Sequence, residues 1–161
     1  MKTIRVSLSD DSFKQAIREV EAYRRSLDQK GRMLAKRLAE IGCKVARIRF
    51  TNAAYDGMND VTVSVEETKN GYVIVAKGES VAFIEFGTGV YNPEHPMGAE
   101  LGMIHGTYGQ GKGKRKAWGY YDDAGQLHIT RGNSPAMAMY AADREILQQV
   151  SRIAKEVFAS D

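Results

Sequence analysis

A seven-residue repeat of apolar side chains near the start of the chain restricts its fold more than any other feature. The members of the repeat are Phe13, Val20, Leu27, Leu34, Ile41 and Ile48. A second row beside it holds Ile17, Leu38 and Val45. Arg24 and Gly31 interrupt the apolar pattern of this row. This spacing predicts one long amphipathic helix whose stripe faces a core or another subunit.

The predicted helix begins after the polar segment at residues 9–12, which offers several N-caps and acidic groups for the positive helix end. Continuous helix over the repeat would be about 50 Å long at ~1.5 Å per residue, longer than a domain of this size is wide. We therefore expect the helix to bend, break or project. Gly31 and Gly42 are the expected break points, since glycine inside a helix costs about 1 kcal/mol relative to alanine.

Alternation and turn residues predict the strands. Residues 2–8 have the pattern of a short strand, and Val61, Val63 and Val65 alternate with polar residues. Asn70-Gly71 is the preferred pair for a two-residue type I′ turn, so residues 60–77 are predicted to form a β-hairpin. Residues 81–86 fit either a strand or a short helix, and the pattern does not decide between them.

The second half of the chain begins with a glycine-rich loop predicted over residues 90–119. A second hairpin follows around residues 120–129, with its turn at residues 122–125. The last helix is predicted to start with Ser134 as N-cap and Pro135 as its first residue. Its predicted buried stripe is Met139, Ile146, Val150, Ile153 and Val157.

These elements indicate a single α+β domain over residues 1–161, with antiparallel hairpins packed against the long N-terminal helix and the C-terminal helix. A chain of 161 residues can bury about 70% of its unfolded surface, so neither disulfide nor metal is required. The one cysteine, Cys43, is expected to be a buried structural thiol. No run approaches the ~20 apolar residues of a membrane span, so we expect synthesis in the cytoplasm and no membrane partner.

Charge is distributed unevenly along the chain. The net charge is only +3, but residues 14–49 carry eleven Lys or Arg against four Asp or Glu, and residues 56–85 carry two against six. Opposite faces of this kind suit head-to-tail packing of identical copies. Solvated faces with no partner are the alternative that the sequence leaves open.

No catalytic, cofactor or metal site is predicted. Residues 106–113 resemble a P-loop, but Gly113 stands where Ser or Thr would hold Mg²⁺, and no buried strand precedes the segment. The three histidines lack metal-ligand spacing. Glu85, between Ile84 and Phe86, is the acid expected to be partly buried, where it would pair with an arginine or accept backbone N–H bonds.

The glycine-rich loop is basic. Its cations lie beside Trp118, and clustered cations with an aromatic side chain are able to contact phosphates and bases. A nucleic-acid-binding accessory protein that uses residues 112–116 is therefore the alternative function, and an acidic protein surface is an equally suitable partner for the loop. The residues concerned are Lys112, Lys114, Arg115, Lys116 and Trp118.

Two short phrases resemble a protein family. Residues 81–89 read Val-Ala-Phe-Ile-Glu-Phe-Gly-Thr-Gly, and residues 132–137 read Gly-Asn-Ser-Pro-Ala-Met before a helix. With the order of elements over residues 10–158, they resemble the minor tail components of tailed bacteriophages and prophages, also called tail-completion or head-tail joining proteins.

The resemblance implies a non-enzymatic virion protein that assembles as a ring, often of six copies in this family, at the head-proximal end of the tail. The implied partners are further copies of the chain, the tail tube and the head-closure or connector proteins, with passing contact to DNA. The residues expected to serve assembly are Glu85, Phe86, Gly87, Thr88 and Gly89, together with the basic residues of the loop and Trp118. The loop is expected to become ordered on assembly.

Overall fold

Three helices and two antiparallel hairpins make up the part of the chain that the computed structural model describes, namely residues 7–55, 57–88, 96–97, 100–101 and 117–159. The order is α1 (Asp10–Thr51), β1 (Thr62–Thr68), β2 (Gly71–Lys77), α2 (Val81–Phe86), β3 (Trp118–Tyr121), β4 (Leu127–Thr130) and α3 (Ala138–Ala159). This mixture of helices and antiparallel strands confirms the predicted α+β class.

Helix α1 runs for 42 residues without interruption. It starts as predicted in the polar segment, where the Ser9 side chain accepts a hydrogen bond from the backbone N–H of Ser12. The predicted breaks at Gly31 and Gly42 are wrong. At Gly31 an added Cβ would meet no atom of the described residues within 4 Å, whereas Gly42 lies against Ile74 and Ile146 on two other elements. The helix therefore projects beyond the packed region.

The core of the protein uses a different row of α1 from the seven-residue stripe. The buried residues of α1 are Ala39, Gly42, Cys43, Ala46 and Phe50. Ile48, a member of the stripe, is exposed. With 3.6 residues per turn, a strict seven-residue repeat drifts by about 20° per heptad, so the stripe rotates away from the core along the helix.

Strands β1 and β2 pair in one register from Thr62 with Lys77 to Thr68 with Gly71. The hairpin is confirmed, but its turn residues are Lys69 and Asn70, one residue earlier than predicted. The pairs Val63 with Ala76 and Val65 with Ile74 place apolar side chains on the face towards α1. Burial of that face selects the register, because a one-residue slip would turn these side chains to solvent.

Helix α3 packs antiparallel along the second half of α1. Near its start, the Arg49 guanidinium donates to the Ala136 carbonyl at 3.3 Å, and near its end Arg37 pairs with Glu156 at 3.3 Å. The buried residues of α3 are Ala138, Ala142, Ile153 and Val157. Val150, predicted to be buried, is exposed.

The second hairpin is confirmed, with Trp118 and Gly119 inside β3 and not in the predicted loop. In its turn the Gly125 N–H donates to the Asp122 carbonyl at 2.9 Å. Of the strand predicted over residues 2–8, Ser7 and Leu8 are described and are not in a strand, and the other residues lie outside the described ranges.

Candidate assembly site

Residues 81–86, for which the sequence fitted either a strand or a short helix, form helix α2. Its start is held by Asp60, whose carboxylate accepts the backbone N–H groups of Glu79 at 2.6 Å and Ser80 at 3.0 Å. These hydrogen bonds, that of Glu79 first, lower the pKa of Asp60. The Ser80 hydroxyl donates to the Met58 carbonyl at 2.8 Å. The loop before β1 therefore fixes where α2 begins.

Glu85 lies at the end of α2 and is only 4% exposed. Its Oε2 accepts the backbone N–H groups of Ala138 at 2.7 Å and Met139 at 3.0 Å, and its Oε1 accepts that of Tyr140 at 3.1 Å. These N–H groups are the first of α3 and have no acceptor within the helix. Of the two predicted roles for Glu85, acceptance of backbone N–H bonds is confirmed.

This contact corrects the predicted start of α3. Ser134 and Pro135 lie before the helix, which begins at Ala138. The segment in between lies along α2, with the Ala136 N–H donating to the Ile84 carbonyl at 2.8 Å and the Met137 N–H to the Glu85 carbonyl at 3.2 Å. Glu85 thus supplies from a distant segment the cap that we expected from Ser134.

Gly87 and Thr88 complete the contact between the two segments, which we name the α2–α3 junction (residues 83–88 and 133–140). Gly87 has a φ of 75°, and a Cβ there would lie 2.7 Å from the Pro135 nitrogen. Both the conformation and the space require glycine. The Thr88 N–H donates to the Asn133 carbonyl at 2.9 Å, and the two side chains are joined by a 2.6 Å hydrogen bond.

Met137 has a φ of 49°, a left-handed conformation that is uncommon for a residue with a side chain. It lies between the extended segment and the first turn of α3. Residues 81–89 and 132–137 are the two phrases that carry the family resemblance. Their described residues therefore meet in the α2–α3 junction.

The β3–β4 hairpin presents an apolar face to solvent. The pairing of Gly119 with Ile129 and of Tyr121 with Leu127 places these residues on one side of the hairpin. Tyr121, Leu127 and Ile129 are all exposed, and Ile129 is 76% exposed. We call these three side chains the hairpin face.

The opposite side of the same hairpin is more polar and more buried. Tyr120 stacks on His128 with ring centroids 5.3 Å apart, and Thr130 is buried. His128 Nε2 lies 2.8 Å from the Asp122 carboxylate, and this hydrogen bond is the main cause that lowers the pKa of Asp122. The hairpin is thus apolar on its solvent side, the reverse of the usual arrangement for a half-exposed sheet.

The predicted assembly residues fall into two groups. Glu85, Phe86, Gly87 and Thr88 lie in the α2–α3 junction, and the backbone of Trp118 opens β3 opposite Thr130. The others lie outside the described residues, and their role stays a prediction. They are Gly89, Lys112, Lys114, Arg115 and Lys116.

Sequence reasoning missed Asn133 and the hairpin face. Asn133 stands in an Asn-Ser-Pro segment typical of a helix start, and this hid its contact with Thr88. The hairpin face had a visible signal, since Leu127 and Ile129 alternate with polar residues. That alternation predicts a buried side without saying which molecule covers it.

An open cleft of about 380 Å³ lies between α1, β2 and α3. Its lining is mainly apolar, with Asp143 as the charged residue. The lining residues are Ala35, Leu38, Ala39, Tyr72, Ile74, Met139, Ala142, Asp143 and Ile146. Few polar groups converge there, unlike in a typical ligand site.

Comparison with known proteins gives no match to any family model, curated protein or solved structure. Within the described ranges, no group of three or more His, Cys, Asp or Glu is placed to hold a metal ion. None of the helices in those ranges combines the length and apolar content that crossing a membrane needs. The α2–α3 junction and the exposed apolar surfaces are therefore the structural features that bear on function.

Proposed function

We propose that the chain is a non-enzymatic structural protein of a tailed-phage virion, a tail-completion or head-tail joining protein that assembles as a ring. The hairpin face is the observation that carries the assembly part of this proposal. The resemblance of residues 81–89 and 132–137 supplies the phage part.

A two-stranded hairpin is marginally stable alone in water. Among the described residues the β3–β4 hairpin forms a sheet of two strands, and it directs Tyr121, Leu127 and Ile129 to solvent. A neighbouring copy that added a strand would extend this two-stranded sheet, and one that packed on the hairpin face would cover its apolar side chains. The hairpin is thus better suited to contact between subunits than to the core of a monomer.

The α2–α3 junction supports a structural role for Glu85. Both carboxylate oxygens accept backbone N–H groups at the start of α3, so the side chain fixes two segments relative to each other. Gly87 and Thr88 extend this attachment to the chain just before the basic loop. The junction therefore holds the chain in place up to Thr88, and the β3–β4 hairpin begins at Trp118.

The proposal is tested by Ile129→Asp, with Met58→Asp as its matched control because Met58 is 80% exposed and lies outside the hairpin. Each variant is supplied in a host that carries the phage or prophage lacking its own copy of the gene. Electron microscopy then counts joined particles, free heads and free tails.

We expect Met58→Asp to restore joined particles and Ile129→Asp to leave heads and tails separate, with both variants giving the wild-type circular dichroism spectrum. Deletion of residues 98–116 is expected to give the same separation of heads and tails. Normal infectious particles from both the deletion and Ile129→Asp would refute the proposed function.

A further inference from the structure

The first 22 residues of α1, residues 10–31, extend past the rest of the described structure. The last turn of α3 begins beside Arg37, which pairs with Glu156, and the β1–β2 hairpin reaches α1 at Arg32, which pairs with Glu67 at 3.1 Å. No side chain between residues 10 and 31 is buried. We name residues 10–31 the arm and residues 32–88 with 131–159 the body; the arm is about 33 Å long at ~1.5 Å per residue.

Apolar side chains follow one side of the arm at coiled-coil spacing. Phe13, Val20 and Leu27 stand seven residues apart, Ile17 lies in the adjoining row, and all four are exposed. Over this short distance the repeat drifts by only about 40° around the helix, so the side chains stay on one face. Spacing and exposure together fit a partner helix of similar length.

The charges of the arm indicate what that partner is. Residues 10–21 carry four acidic and two basic side chains, and residues 22–31 carry three basic and one acidic. Two arms that run in opposite directions place the acidic half of each beside the basic half of the other. Two arms that run in the same direction place like charges together, which disfavours pairing.

We propose that the arm is a self-association surface and that it pairs with the arm of a second copy of this chain in antiparallel orientation. The pair is two-fold symmetric, and the two bodies lie at its opposite ends, where they do not collide. This contact differs from the head-to-tail contacts of a ring and does not rest on the proposed function.

The first test compares Val20→Glu with Met33→Glu. Both residues are 53% exposed on α1, but Met33 lies about 140° around the helix from Val20 and outside the stripe. Sedimentation velocity of the full chain in the Ile129→Asp background measures arm pairing without the hairpin face.

We expect the starting protein to dimerise, Met33→Glu to dimerise equally well, and Val20→Glu to raise the dissociation constant about 100-fold or more, because each pair loses two apolar contacts. A monomer at every concentration in the Ile129→Asp background, or equal dissociation constants for the two variants, would overturn the proposal. Failure of head-tail joining is a separate readout, so each idea can fail alone.

The second test addresses direction. Reversal of Arg24 and Arg25 to Glu makes both halves of the arm acidic, and further reversal of Glu19 and Glu21 to Arg restores opposite halves. Antiparallel pairing predicts that the double variant dissociates and the quadruple variant dimerises again. It also predicts that salt weakens the wild-type pair. Dimerisation that is unchanged by the double reversal, or strengthened by salt, would overturn the antiparallel arrangement.

Discussion

The arm and the second half of α1 belong to one helix, yet Phe13 in the arm is 49% exposed and Phe50 in the second half is 1% exposed. Both halves carry large apolar residues at regular spacing. In the second half, Ala39, Gly42 and Ala46 share one buried face of the helix, and at Gly42 both β2 and α3 approach α1 closely. Large apolar residues at regular spacing are therefore not sufficient to cover this helix, and the covered half is the one in which small residues line one face.

The largest effect expected from this comparison comes from the two phenylalanines. Phe50→Ala should lower the free energy of unfolding by about 3–5 kcal/mol, because it removes a fully buried ring and leaves a cavity. Phe13→Ala should change it by less than about 1 kcal/mol, since the ring is half in solvent. Urea unfolding at a concentration where the chain is monomeric measures both, and similar losses would contradict the division of α1 into arm and body.

The helix starts give a second matched pair. Glu85→Gln should cost about 2–3 kcal/mol, because an amide NH₂ replaces one of the two oxygens that accept N–H groups of α3 in a buried site. Ser9→Ala should cost about 0.5–1 kcal/mol, since its hydrogen bond is exposed and 3.4 Å long. The same urea assay compares them. Equal losses would show that Glu85 contributes no more than an ordinary exposed cap.

The two glycines of α1 should respond with opposite signs. Gly31→Ala should stabilise the protein by up to about 1 kcal/mol, because alanine favours helix and a Cβ meets nothing within 4 Å. Gly42→Ala should destabilise it by about 1 kcal/mol, because its Cβ would lie 2.6 Å from Ile74 Cδ1 and 2.7 Å from Ile146 Cδ1. Thermal unfolding shows the signs directly, and a stabilising Gly42→Ala would mean that α1 is packed less tightly than described.

The smallest effect concerns acid. The pKa values of Asp60 and Asp122 are lowered in the folded protein, so each contributes stability above the ordinary value of 3.8 that is lost as pH falls through its lowered pKa. Asp60→Asn should reduce acid sensitivity of the body, and Asp122→Asn only that of the β3–β4 hairpin. Hydrogen exchange followed from neutral to acidic pH separates the two regions. Loss of protection in the body from Asp122→Asn would contradict their independence.

Local signals were enough to predict much of this structure. The start of α1 and both hairpins follow from caps, turns and alternation within a few residues of each element. The core row of α1 could not be predicted in this way, because Ala39, Gly42 and Ala46 are too small to stand out in a hydrophobic pattern. The start of α3 was misplaced because its cap comes from Glu85. The N-cap preferences of Ser134 and its neighbours carry no information about this distant residue.

The candidate site was predicted in part for the same reason. Burial of Glu85 followed from its apolar neighbours, whereas the need for glycine at position 87 comes from its φ of 75° and from the closeness of Pro135. Their partners around Asn133 and Ala138 are tertiary contacts, which no local pattern specifies. The roles of the basic residues between 112 and 116 stay predictions.

The cap that Glu85 gives to α3 also orders events during synthesis. Glu85 and Ala138 are 53 residues apart. At about 5–20 residues per second, the ribosome therefore makes Ala138 roughly 3–10 s after Glu85. Until then Glu85 lacks the N–H groups of α3 as hydrogen-bond partners, and we expect the contact between α2 and α3 to be absent. A chain that stops at residue 137 should therefore be unable to fold, and protease resistance of that truncated chain would show that the body closes without its last helix.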